Sequence, residues 1–140
     1  MNRETMKTFR ATFLLSNVLL SAAIPLAASN VVTDWTLIAS TTIVKNGGKA
    51  AGSSGVWFAY SSVAVYDAVN AITGQYRPLY YHGAAPPDAS LDSAAVAAAH
   101  RILVNYFPEQ QSDLDARFSS SLANISADAK AKDAGEGHEG

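Results

Sequence analysis

The sequence predicts an all-α fold: a partial bundle of four to five helices placed after an N-terminal signal peptide. Two observations carry this expectation. Residues 53–74, SSGVWFAYSSVAVYDAVNAITG, are apolar on nearly all sides and interrupted by one polar cluster at Asp67 and Asn70. Residues Val96, Ala99, Leu103 and Phe107 recur at helical spacing and end at Pro108. A helix without a wide polar face belongs inside a larger helical body, and no segment shows the strict alternation of a strand.

The first 29 residues stand apart. Arg3, Lys7 and Arg10 precede the apolar run 11–24, Pro25 breaks it, and Ala27, Ala28 and Ser29 follow. This is the layout of a secretory signal peptide, with cleavage expected after Ala28 or Ser29. The competing reading is an uncleaved anchor. Ser16, Asn17 and the short apolar run make a bilayer span marginal, so no stable membrane span is expected once the leader is removed. Met6 is an alternative start that would leave the leader whole. The expected location is periplasmic or extracellular. The 140 residues contain no cysteine, which excludes disulfides, thiolate zinc sites and lipid attachment at a leader cysteine. A formal charge of −2 supplies no basic field for nucleic acid.

Residues 30–140 are expected to form one small helical region. The first helix is read over 34–45, capped by Thr33 or Asp34, with Trp35, Ile38 and Thr42 on one face. The β-branched run 41–44 is compatible with a strand, and helix is the reading adopted. Residues 46–55 read as a loop because Gly47, Gly48, Gly52 and Gly55 permit positive φ. The second helix spans 53–74. It carries one stripe of Phe58, Val65, Val69 and Ile72 and another of Val56, Tyr60 and Val63, and Gly74 ends it. The segment 75–90, with Pro78, Pro86 and Pro87, reads as an ordered loop whose Tyr76, Tyr80 and Tyr81 pack against helices. Asp88 or Ser90 caps a third helix running to Phe107. A fourth helix covers 109–123 with a narrow seam of Leu114, Phe118 and Leu122, and Ser126 caps a last helical stretch from Ala127.

Candidate chemistry is sparse. Gly48-Lys49 lacks the other elements of a phosphate loop, since Ala50 follows it and Ile43 stands where a glycine is needed. His82, His100 and His138 match no metal spacing and read as structural or solvated histidines. Asp67 is a carboxylate on an apolar helix and requires a partner. Arg77 and Arg101 are the candidates for a structural ion pair, which outweighs a catalytic role. No nucleophile elbow surrounds Ser53 or Ser54.

Taken in order, several segments resemble the N-terminal part of bacterial secreted proteins related to vanadium-dependent haloperoxidases, in the type 2 phosphatidic acid phosphatase superfamily. The residues that carry the resemblance are Val32-Thr33-Asp34-Trp35, Phe58-Ala59-Tyr60, the run VYDAVNAI at 65–72, and Tyr76-Arg77-Pro78. AAVAAAHRIL at 94–103, Tyr106-Phe107-Pro108, Leu114-Asp115 and the stretch 129–135 continue it. The resemblance implies a large helical bundle that holds vanadate or a substrate phosphate through the signatures K-x6-R-P, P-S-G-H and S-R-x5-H-x3-D. None of these stands in this chain. Asn70 occupies the lysine position before Arg77-Pro78, Val56 follows Ser54-Gly55, Glu136 precedes Gly137-His138, and Ser-Arg does not occur. No catalytic, cofactor-binding or metal residue is therefore carried over, and vanadate is expected only in a complete family member. The resemblance implies that the chain stops short of the catalytic half and is inactive alone. The expected partner is a chain carrying that half, or a second copy. The alternative is a stand-alone secreted helical interaction module.

Overall fold

A computed structural model describes residues 30–86 and 88–136, with side chains through Ala127. The expected leader and His138 lie outside the described residues. The described chain is all-helical, with four α-helices and, among the described residues, no strand. They are α1 (Val31–Ser40), α2 (Ala51–Thr73), α3 (Leu91–Tyr106) and α4 (Gln111–Glu136).

The expected first helix begins earlier than its sequence signals imply. Asn30, not Thr33 or Asp34, is the cap, and its side chain accepts from the Val32 N–H at 2.9 Å. The helix continues past α1 as a wider π-helical turn, Thr41–Asn46. This turn closes with Gly47 N–H on the Thr42 carbonyl at 2.8 Å. The β-branched run thus stays helical, and Thr42 and Ile43 are buried by the widened turn. The expected loop is correspondingly shorter. Gly52 and Gly55 lie inside α2 because the Ser53 and Ser54 N–H groups both bond the Ala50 carbonyl at 2.9 Å and start the helix there.

The ends of α3 follow their chemistry. The Ser90 hydroxyl accepts from Ser93 N–H at 3.2 Å, and a short 3₁₀ turn (Pro108–Gln110) separates α3 from α4. Gly74 ends α2 in the left-handed region, φ 61°, donating to the Asn70 carbonyl at 2.8 Å. No cap operates at Ser126: α4 runs unbroken through it to Glu136. Residues 111–134 contain neither glycine nor proline, so nothing interrupts the backbone ladder.

Helix α3, not α2, is the centre of the bundle; it packs against each of the other three helices. Trp57 of α2 meets Tyr106 and Phe107 at the far end of α3, so those two helices run antiparallel. The buried apolar core joins Trp35, Ala39 and Ile43 to Val96, Ala99 and Leu103 of α3, with Phe107 and Leu114. All four residues of the expected α3 stripe are in it. Helix α2 supplies none of these fully buried apolar side chains. Its buried residues are Ser54, Ser61, Asp67 and Asn70, while Val56 and Tyr60 are exposed and Val65, Val69 and Ile72 half-buried. The reason is steric. The α3 surface is built from alanines, with Ala95 and Ala99 buried, and small side chains such as Ser54 and Ser61 let two helices approach closely. The bulkier apolar residues of α2 stay only partly buried: Trp57, Phe58 and Val65 pack against the core from its edge, and Tyr60 stacks on Tyr106 at 5.4 Å.

Candidate functional site

The most organised feature outside the core is the segment that leaves α2. It is pinned by three residues within two turns: Tyr66, Asp67 and Asn70. Helical spacing sets Asp67 and Asn70 on one face, one turn apart. The chain reverses at Gly74 and passes back over that face. Asn70 accepts from Tyr76 N–H through Oδ1 at 2.9 Å and donates from Nδ2 to the Tyr76 carbonyl at 2.7 Å. The Tyr66 hydroxyl donates to the Arg77 carbonyl at 3.0 Å. Asp67 takes three successive backbone donors: Leu79 N–H on Oδ1 at 2.8 Å, then Tyr80 and Tyr81 N–H on Oδ2 at 2.7 and 2.8 Å. Further along, Ala85 N–H reaches the Ala71 carbonyl at 3.0 Å.

The partners expected for Asp67, Arg77 and Arg101, are not the ones found. Both of their side chains are exposed, and Arg77 contributes only its carbonyl to the clamp. Backbone N–H groups satisfy a carboxylate as completely as an arginine does and require no second buried charge. These bonds hold the Asp67 carboxyl below its usual range. The Tyr81 N–H bond is the largest cause, burial opposes it, and the Leu79 and Tyr80 N–H bonds and the charge of His82 lower it further. Asp67 is therefore ionised and fully engaged, a poor candidate for a general base, which needs a free lone pair within reach of a substrate proton.

The loop's own large side chains are largely open to solvent. Tyr76, Leu79, Tyr80 and Tyr81 are all exposed, Tyr80 at 86%. The expectation that the tyrosines pack against helices is thus corrected: backbone hydrogen bonds, not ring packing, order this loop. An open crevice of about 280 Å³ lies between Tyr76 and the Val65, Val69 and Thr73 side of α2. A second, of about 200 Å³, is lined by Trp35 and Ala39 of α1, Phe58 and Ser61 of α2, and Ala99 of α3.

The histidines are placed separately. His82 is exposed in the loop. His100 Nε2 lies 2.7 Å from Asp115 Oδ1. Its ring stacks on Phe118 at 4.5 Å and meets the Trp35 edge at 6.1 Å. It ties α3 to α4 beside the bond from Trp35 Nε1 to Ser121 Oγ, 3.1 Å. The spacing of the histidines gave no hint of Asp115; the available signal was its place next to the core residue Leu114. The structural roles of Tyr66 and Asn70 were also missed. The signal for them was an Asp-x-x-Asn pair one turn before a helix-ending glycine. Among the described residues no three His, Asp or Glu side chains gather as a metal site. Comparison with known protein families, with curated proteins and with solved structures found no match.

Proposed function

We propose that this chain is an exported, non-catalytic helical region akin to the N-terminal part of vanadium-haloperoxidase-related proteins, acting through its surfaces and not through a reaction centre. The observation that carries the reading is the inverted burial of α2. Its fully buried residues are the polar Ser54, Ser61, Asp67 and Asn70, while Val56 and Tyr60 lie exposed at 51% and 46%. A helix with apolar residues on its outer side is suited to be covered by further helices, as the resemblance implies for a larger bundle. Large exposed apolar area marks such docking surfaces. The covering helices would come from a partner carrying the catalytic half or from a second copy. The engagement of Asp67 by three backbone donors removes the one buried acid among the described residues from any acid–base role.

Three measurements test this. Mass spectrometry of the exported protein is expected to find an N-terminus after Ala28 or Ser29; one at Met1 or Met6 refutes the export reading. The purified chain is expected to show neither vanadate-dependent bromination nor phosphomonoester hydrolysis. Turnover that survives replacement of His82, His100 and His138 by alanine would place a reaction centre elsewhere in the chain. Light scattering is expected to show self-association with binding of a hydrophobic dye. A monodisperse monomer that melts sharply without dye binding favours the second reading, a stand-alone interaction module. The specific observation behind that second reading is the rigidly presented loop at 76–81.

A further inference from the structure

The π-helical turn that follows α1 ends in a reactive dipeptide. Asn46 is followed by Gly47, and no other asparagine or aspartate in the sequence precedes a glycine. Glycine brings no side chain to shield its backbone nitrogen from the neighbouring side-chain carbonyl, so an asparagine before it is the kind most open to attack. Here the glycine is required by packing. A Cβ at position 47 would lie 2.5 Å from Phe107 Cε1, 2.7 Å from the Thr42 carbonyl oxygen and 2.9 Å from that of Ile43. The fold thus reserves for glycine the one position that makes Asn46 reactive.

The closed turn also restrains the reaction. The Gly47 N–H donates to the Thr42 carbonyl at 2.8 Å, and the Lys49 N–H closes on the Ile43 carbonyl at 3.1 Å. Asn46 Nδ2 donates to Gln110 Oε1 at 3.1 Å, and Gln110 Nε2 donates to the Thr42 carbonyl at 3.0 Å. One glutamine from the 3₁₀ turn between α3 and α4 therefore holds both the side chain of Asn46 and the carbonyl on which Gly47 is anchored. Residues 41–46 are helical, and helical side chains lean back toward the N-terminus, away from the nitrogen of the next residue. Asn46 itself is exposed, so water reaches it once the turn yields.

We propose that Asn46 is a deamidation site gated by the closure of this turn. When the turn opens, the Gly47 nitrogen attacks Asn46 Cγ. The N–Cγ bond forms, the Cγ–Nδ2 bond breaks, and the Gly47 proton leaves with the amide as ammonia. Water then opens the resulting succinimide at either carbonyl, giving aspartate or isoaspartate. Both products replace a donor to Gln110 by a carboxylate. Isoaspartate also lengthens the backbone by a methylene next to Gly47, where Phe107 and the turn carbonyls leave no room. A sufficiently long opening is thereby converted into a permanent loosening of the first helix from the α3–α4 junction.

The test follows deamidation of the full chain in mildly alkaline buffer, folded and in guanidinium chloride, by peptide mass spectrometry and isoaspartyl methyltransferase labelling. The folded chain is expected to react about 5- to 150-fold more slowly than the denatured one, the range that two neutral hydrogen bonds support. Gln110→Ala is expected to react about 2- to 12-fold faster than wild type when folded, the equivalent of one such bond, and at the wild-type rate in denaturant. The isolated isoaspartate form is expected to melt below Asn46→Asp, which carries the charge without the methylene. Equal rates for folded and denatured wild type overturn the gating, and this comparison needs no variant to fold. Absence of conversion in the denatured chain overturns the site itself. An unchanged rate in folded Gln110→Ala overturns the part given to Gln110, and equal melting of the isoaspartate form and Asn46→Asp overturns the steric consequence.

Discussion

Replacing Asn70 by alanine separates the two halves of the loop clamp. The substitution removes both side-chain bonds to Tyr76, at 2.7 and 2.9 Å, and leaves the three bonds to Asp67 in place. Each neutral hydrogen bond contributes about 0.5–1.5 kcal/mol net, so the pair contributes roughly 1–3 kcal/mol. Water can reach the freed groups of exposed Tyr76, which places the effect toward the lower end. The loss should act on local opening of the loop and hardly on the core, because both bonds of the removed amide go to Tyr76 and Asn70 is not a member of the apolar core. Amide hydrogen exchange reads this directly. The Tyr76 amide should exchange about 5- to 150-fold faster in the variant, the range that corresponds to those energies. The Leu79, Tyr80 and Tyr81 amides should keep most of their protection, and amides within α3 all of it. Loss of protection throughout α3 would show that loop and bundle open as one unit. An unprotected Tyr76 amide in the wild-type chain would show that the clamp does not form in solution.

Three further outcomes are expected. Because the Asp67 carboxyl is held below its usual range, its contribution is fully present above the ordinary carboxylate range and is lost as pH falls through the depressed value. Protection of the Tyr80 and Tyr81 amides should therefore persist at pH 5–7, decline below about pH 4, and be lost at neutral pH in Asp67→Asn. Leu103→Ala empties a position only 1% exposed in the central helix; chemical denaturation should show a loss of about 2–5 kcal/mol, whereas Tyr80→Ser should stay within about 0.5 kcal/mol of wild type. At Gly47 an added Cβ would lie 2.5 Å from Phe107 Cε1 and 2.7 Å from the Thr42 carbonyl. Gly47→Ala should therefore lower the melting temperature, while Gly52→Ala, in a helix and with open space around it, should raise stability by about 0.4–1 kcal/mol.

Much of this architecture could be read from residue order because the relevant signals are local. The α3 stripe, the stop at Pro108 and the left-handed Gly74 each depend on a few neighbours, and each is where the sequence places it. The errors arose where partners are distant or where packing inverts a rule. Apolar content suggested that α2 is central, yet its fully buried residues are polar and α3 is the helix that touches all the others, an outcome visible only once the helices are paired. Gly52 and Gly55 looked like loop residues, but a helix start at Ala51 absorbs them. Ser126 has the chemistry of a cap and sits mid-helix because nothing before it ends the ladder. Asp67 announced that it needed a partner. No spacing rule says that backbone donors twelve to fourteen residues ahead will supply it, since that depends on how the chain turns after Gly74.

The core also imposes an order of assembly. Trp35, Ala39 and Ile43 near the start of the described chain are buried against α3 and the beginning of α4, and Trp35 is joined to Ser121 across 86 positions. By contrast, α3 and α4 are consecutive and linked by a single short turn. Contacts between close neighbours form before those that close long loops. The α3–α4 hairpin should therefore form early, with α1 arriving last to seal it. A polypeptide emerging from a ribosome or a translocation pore would hold its first helix unsatisfied until Ser121 had followed. A version terminated before Gln111 should accordingly remain largely unfolded by circular dichroism, and adding α4 as a separate peptide should restore helicity.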